Sequence, residues 1–170
     1  MTAGERRGSR RLRKIRDVKT RLIAVGKLRE RYIAEAAADF RTRLRRYDPF
    51  EELEVAASTG SDPARAMREE GERIVRALEP GEPLWLLERT GDELSSTELV
   101  TRLHDAGRSG VTRLTIAVAG TYGASEALLA RADFRWSLSR LTLLHEWARA
   151  LVLEQLYRAA KISRNEPYHH

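Results

Sequence analysis

Short apolar runs alternating with helix-length amphipathic stretches constrain this chain more than any other feature. TRLIAV at 20–25, a run at 51–57 in which Leu53 and Val55 alternate with polar neighbours, PLWLLE at 83–88 and RLTIAVA at 113–119 each read as a strand. The unbroken apolar character of 83–88 suits a strand covered on both faces, as in a parallel sheet. Between the strands the period lengthens. Leu28, Tyr32, Ala36, Phe40 and Leu44 recur every four residues and predict a helix over about 28–47. Arg41, Arg43, Arg45 and Arg46 crowd its end, where positive charge suits the helix dipole, and Pro49 follows. Asp62-Pro63 is a helix start, a side-chain cap followed by proline at the first position. Met67, Ile74, Val75 and Leu78 give that helix its apolar side. Gly91 reads as a turn, and Ser95 with Glu98 as a capping box for a helix to about Arg108. Strands and helices in alternation over 170 residues predict one α/β domain with a mostly parallel sheet. Ligands of such sheets sit in crevices beyond the carboxyl ends of the strands. Two stretches fall there, 88–91 and 120–125.

Composition narrows the chemistry. There is no cysteine, which excludes disulfides, thiolate nucleophiles and cysteine metal sites. No apolar run approaches the eighteen or so residues that span a bilayer. The formal net charge is +6, yet the first 21 residues hold nine Lys or Arg and only two acidic residues, so the excess lies at the N-terminus. Residues 1–18 have almost no large apolar side chains to offset the entropy of ordering and read as a disordered basic arm. Clustered arginines of this kind favour RNA phosphates through counterion release; the plain alternative is a solvated extension. Arg6-Arg7 and Arg10-Arg11 are not followed by an apolar segment, so an export signal is not expected.

The stretch 136–168 carries the candidate chemistry. Ala148, Leu151, Val152, Leu156 and Ala159 form one helical stripe, which packing explains. Packing does not explain the gathering of Arg140, Thr142, His145, Arg149, Tyr157, Arg158, Tyr168 and His169 around it. Histidine near neutral pKa is the ordinary choice for moving a proton, and arginine for holding a phosphate or a developing oxyanion. Trp136 and Trp147 fit a core or a subunit contact better than base stacking. The glycines of Gly120-Thr121-Tyr122-Gly123 allow close backbone approach to a ligand, and the loop is neither a dinucleotide fingerprint nor a Walker loop.

Together these pieces resemble a known family. SLSRLTLLHEWARALVLEQLYRAAKI followed by NEPYHH, with LLE and AVAG-TYG upstream and TRLIAVGKLRERY near residue 20, is similar to the RlmH family over roughly 20–170. The family's members are SPOUT-class methyltransferases that methylate N3 of a pseudouridine in large-subunit (23S) ribosomal RNA. Two positions depart from its pattern: Ala119 stands where the first glycine of the loop is usual, and Leu144 where proline precedes the histidine.

The resemblance implies a SPOUT fold whose C-terminal third is tied into a trefoil knot. It implies S-adenosyl-L-methionine as cofactor, held by Leu87, Gly120 and the run Leu138, Ser139, Arg140, Leu141, Thr142 and Leu143, with no metal. The proton on N3 must be removed, and the candidates are His169, Tyr168 and His145, with Arg158 for phosphate or oxyanion. The family works as a homodimer on the assembled ribosome, so rRNA is the expected partner, the cytoplasm the expected location, and no membrane is involved. The two departures leave open a methyltransferase for another RNA site, or a ribosome-binding protein of the same fold without catalysis.

Overall fold

The structure, a computed structural model, describes residues 18–168. Most of the basic arm (1–17), together with His169 and His170, lies outside the described residues. Five strands, β1 (Lys19–Val25), β2 (Phe50–Val55), β3 (Leu84–Glu93), β4 (Arg113–Val118) and β5 (Phe134–Ser137), form one sheet in the order β2-β1-β4-β3-β5. Every pairing is parallel. The helices are α1 (Arg31–Leu44), α2 (Pro63–Arg76), α3 (Ser96–Arg108), α4 (Glu126–Arg131) and α5 (His145–Ile162).

The sheet is covered on both faces, which is why β1, β4 and the first half of β3 read as largely apolar runs, while the edge strand β2 keeps its polar alternation. Leu22 and Ala24 of β1, Trp85 of β3 and Leu114, Ile116 and Val118 of β4 face α1, α3 and α5. Their sequence neighbours Ile23, Val25, Leu84, Leu86 and Ala117 face α2 and α4. Burying residues of both parities removes the polar alternation seen in one-sided sheets.

Local chemistry starts the helices as expected. Asp62 accepts from Ala64 N at 3.0 Å and Arg65 N at 3.3 Å, with Pro63 at the first position. Ser95 and Glu98 complete their capping box, Ser95 N donating to Glu98 at 2.7 Å. The helix ends differ. α5 stops at Ile162, before Pro167 is reached, because Asn165 adopts φ 55 and Glu166 N bonds back to Lys161 O at 3.0 Å.

Several expectations shift. The buried stripe of α1 is Ile33, Ala37 and Leu44, not the strict four-residue series, and Tyr32 is 58% exposed. Four residues advance a helix by more than one turn, so such a series drifts about 40° per step off the core, whereas mixed spacings of three and four stay on it. Gly91 is no turn. It lies inside β3, where a Cβ would meet the backbone of Arg135, at 2.6 Å from its carbonyl carbon. Leu87 and Asp92 both pair with Trp136, so residues 88–91 bulge out of the ladder and only glycine lets the bulge close on β5. β5, four residues long, is an addition to the four expected strands. Val18, placed in the arm by composition, is buried against Gly107.

One buried charge network ties α5 to the far side of the sheet. Arg149 reaches Glu52 at 2.5 Å and Glu54 at 2.6 Å on β2 and donates to the Gly26 carbonyl at 3.3 Å. Arg41 also pairs with Glu52. Glu146, one turn earlier, accepts from Arg29 N at 2.9 Å and Glu30 N at 3.1 Å, capping the start of α1 from a distance. The first turn of α5 is thereby held over the carboxyl ends of the strands.

Candidate active site

Beyond the carboxyl ends of β3, β4 and β5 lies a cavity of about 330 Å³, within the range of small-molecule sites. Four segments build its wall. The β3 bulge contributes Leu87, Glu88 and Arg89; the turn after β4 contributes residues 119–124; the segment after β5 contributes Leu138, Ser139, Leu141, Thr142 and Leu143; α5 contributes His145 and Ala148. Trp136, buried in β5, closes the base.

Hydrogen bonds hold these segments in register. The Ser137 hydroxyl lies 3.1 Å from the Arg89 carbonyl and 3.0 Å from the Ser139 carbonyl, so its single proton links the bulge to the 138–143 loop. Ser139 Oγ accepts from Leu141 N at 3.0 Å. Gly123 N donates to Gly120 O at 3.0 Å, closing a tight loop that runs into the Ser125 cap of α4. Gly123 has φ +87, a left-handed conformation that glycine adopts without strain. At Gly120 the reason for glycine is different. A Cβ there would point away from the cavity, into the Glu70 carboxylate and within 3.2 Å of Val25 Cγ1. Packing behind the loop, rather than a ligand in front of it, forbids a side chain.

Of the residues expected at a cofactor site, Leu87, Gly120, Leu138, Ser139, Leu141, Thr142 and Leu143 all line this one cavity; Arg140 alone points elsewhere and is exposed. His145 lines it too, at the first position of α5. Glu88 and Arg89 come from the 88–91 stretch expected beyond the strand ends, and Trp136, expected as a core or subunit contact, is the addition. The bulge that presents Glu88 and Arg89 is set by pairing with β5, and Gly91, read from the sequence as a turn, was its trace there.

The other candidates gather at the opposite end of α5. Arg158 holds Glu154 at 2.6 Å and stacks over the Tyr168 ring at 4.3 Å. The Tyr168 hydroxyl donates to Glu154 Oε1 at 3.1 Å, and its ring meets Tyr157 edge-on at 5.2 Å. Burial, and then the neighbouring Glu154 carboxylate, push the Tyr168 phenol above its ordinary value, so at neutral pH it is a proton donor. His169 lies outside the described residues. Arg149 is not available for phosphate, being committed to Glu52 and Glu54. Thirteen residues of helix separate His145 from Arg158, about 20 Å along the axis, so one chain does not bring the two groups together.

The profile of the family described as "Predicted SPOUT methyltransferase" matches residues 18–169. Three similar proteins are each named ribosomal RNA large subunit methyltransferase H. The one from Solidesulfovibrio magneticus is 42% identical over 154 residues, covering 88% of this chain and 97% of its own length. That from Pelotomaculum thermopropionicum is 41% identical over 155 residues, with coverages of 88% and 97%. That from Pelobacter propionicus is 39% identical over 153 residues, with coverages of 90% and 100%. With the whole described α/β domain and its cavity inside the profile match, the chain belongs to the SPOUT methyltransferase family.

Proposed function

We propose that this chain methylates N3 of a pseudouridine in large-subunit (23S) rRNA, with S-adenosyl-L-methionine as methyl donor. The observation that carries the reading is the convergence of Leu87, the Gly120 loop and the 138–143 loop on one cavity. The name shared by the relatives supports rRNA as substrate. The residues present fit the cofactor. Leu87, Leu138 and Leu143 offer apolar walls for an adenine ring, while the main chain of the two loops offers donors and acceptors for its edge and for the ribose. When bound, S-adenosyl-L-methionine supplies a methyl group already activated on a sulfonium. The protein's part is then orientation and exclusion of water, which the tightly bonded loops serve.

One further task falls to side chains, because N3 of pseudouridine carries a proton. His145 stands in the cavity wall and is the candidate acceptor that a single chain brings there. Tyr168, held protonated, suits a role in holding the base, and His169, next in sequence, is the second candidate acceptor. Bringing the Tyr168–Arg158 group to a cavity requires a second copy, and we take the working unit as a homodimer. Exposed Leu144 and Trp147, next in sequence to the cavity residues His145 and Ala148, with Tyr32 against the Trp147 ring and exposed Leu141 in the cavity wall, favour such a contact. The same reading includes the trefoil knot in the C-terminal third, work in the cytoplasm where ribosomes are, and no metal requirement. It also retains the division into a basic N-terminal arm and one methyltransferase domain; with Val18 buried, the boundary falls at 17/18.

Titration calorimetry tests the core of this reading. S-adenosyl-L-methionine should bind the purified protein with micromolar affinity in the presence of a chelator. No heat up to millimolar cofactor would remove the cofactor assignment. The basic arm gives a second expectation. Deleting residues 1–17, which spares the buried Val18, should flatten the salt dependence of ribosome binding. An unchanged slope would make the arm a passive extension.

A further inference from the structure

We propose that Glu70 and Gly71, consecutive residues in the middle of α2, are positioning residues that clamp both ends of the cofactor loop; the inference rests on the loop's assignment to S-adenosyl-L-methionine. Neither residue lines the cavity. Both press on the loop from behind.

Glu70 is 6% exposed, an unusual place for a carboxylate with no cationic partner among the described residues. Its Oε1 accepts from Ser58 N at 2.9 Å, in the loop after β2. Its Oε2 has no hydrogen-bond partner among the described residues and is driven against Gly120, where a Cβ would also lie 3.0 Å from Glu70 Cδ. A buried oxygen without a donor is costly and persists only where its surroundings over-determine it or where its position serves something else. Gly71 completes the clamp at the loop's other end. A Cβ on Gly71 would meet Ser125 Oγ at 2.6 Å and Leu128 Cβ at 3.4 Å, so α2 and the cap of α4 touch at van der Waals distance. Helix propensity alone favours alanine at such a position, and the close approach explains glycine. Gly120 and Ser125 bracket the loop, and each meets one of two adjacent α2 residues.

The Ser58 segment is in turn bound to the same helix. Ser58 Oγ donates to Glu69 at 2.8 Å, and Arg73 donates to Ser58 Oγ and to the Ala56 carbonyl, both at 2.9 Å. α2 thus joins the end of β2 to the end of β4. In this arrangement the carboxylate of Glu70 sets how far the chain at Gly120 stands out into the cavity.

A double-mutant cycle read by cofactor affinity tests this. Gly120→Ala in the native background should weaken S-adenosyl-L-methionine binding by about tenfold or more, because the new methyl displaces the loop from Glu70. Glu70→Ala alone should weaken it several-fold. Combined, Glu70→Ala and Gly120→Ala should bind better than Gly120→Ala alone, a coupling on the order of tenfold between residues in contact. Thermal melting of each variant separates this from general destabilisation: the affinity changes should persist at temperatures well below every melting point. Additive losses, with the double variant weaker than either single one, would overturn the clamp. Failure of the native protein to bind the cofactor would instead overturn the reading on which it rests. If Glu70→Ala folds poorly, Gly71→Ala gives an independent arm, expected to lower affinity several-fold despite its better helix propensity; unchanged affinity there counts against the clamp.

Discussion

Removal of residues 168–170 is expected to depress methyl transfer by about two orders of magnitude or more, the usual size of a lost general base or base-holding group. Cofactor affinity should stay nearly unchanged, because among the described residues the cavity lining ends at Ala148 and does not include Tyr168. The loss arises at the far end of α5, where Tyr168 lies across Arg158 and bonds to Glu154. Truncation strips the ring from Arg158 but leaves its ion pair with Glu154, so the helix should remain folded and dimerisation intact. Single-turnover transfer to unmethylated ribosomes at saturating cofactor measures the effect. Full-rate transfer by the truncated protein would show that this end is not catalytic and leave His145 as the proton acceptor. A mixed dimer adds a sharper result. If each cavity is served by the other subunit, a truncated chain paired with a chain disabled at Gly120 should recover one working site. Two dead sites would place the residues on the same chain.

Arg149→Ala should destabilise the domain strongly. The side chain is 5% exposed and neutralises Glu52 and Glu54 while holding the Gly26 carbonyl. Breaking a buried pair by deleting one partner costs roughly 3–5 kcal/mol, since the abandoned charge stays buried. Two features place this case at the lower end. Arg41 still accompanies Glu52, and Glu54 is 38% exposed, so water can reach it. About 3 kcal/mol in a domain of this size lowers the melting temperature by roughly 6–12 °C. Cofactor affinity should fall as well, because the network holds the first turn of α5 over the cavity. Changing Glu52 and Glu54 to glutamine in the same chain should restore part of the loss. A melting temperature within about 2 °C of the native protein would mean the carboxylates find other partners.

Much of the fold was legible in local chemistry. The caps at Asp62 and Ser95, the alternation of runs and the two-sided burial of β3 depend on neighbouring residues, and sequence displays neighbours directly. Misplaced features share another cause. Tyr32 entered the expected stripe because a four-residue spacing looks helical, while the core selects a face only once α5 lies beside it. Gly91 looked like a turn because nothing local distinguishes a turn glycine from one pressed against another strand's backbone. β5 is short enough to carry almost no pattern of its own and exists because β3 offers it a partner.

The candidate site divides in the same way. Leu87, Gly120, the 138–143 run and His145 were named from motif and resemblance, and the fold gathers all of them but Arg140 around one cavity. The chain by itself therefore determined the α/β class, the strands that carry the loops and the residue types offered at their ends. Tertiary structure decided which of those residues meet. It consumed Arg149 in a buried network, left Tyr168 and Arg158 about 20 Å along α5 from the cavity, and set Glu70 behind Gly120. The physical reason is distance along the chain: Glu70 and Gly120 are fifty residues apart, so no periodicity, cap or turn rule links them. Only the packing of α2 against the sheet turns a charged residue on a helix into the backing of a loop.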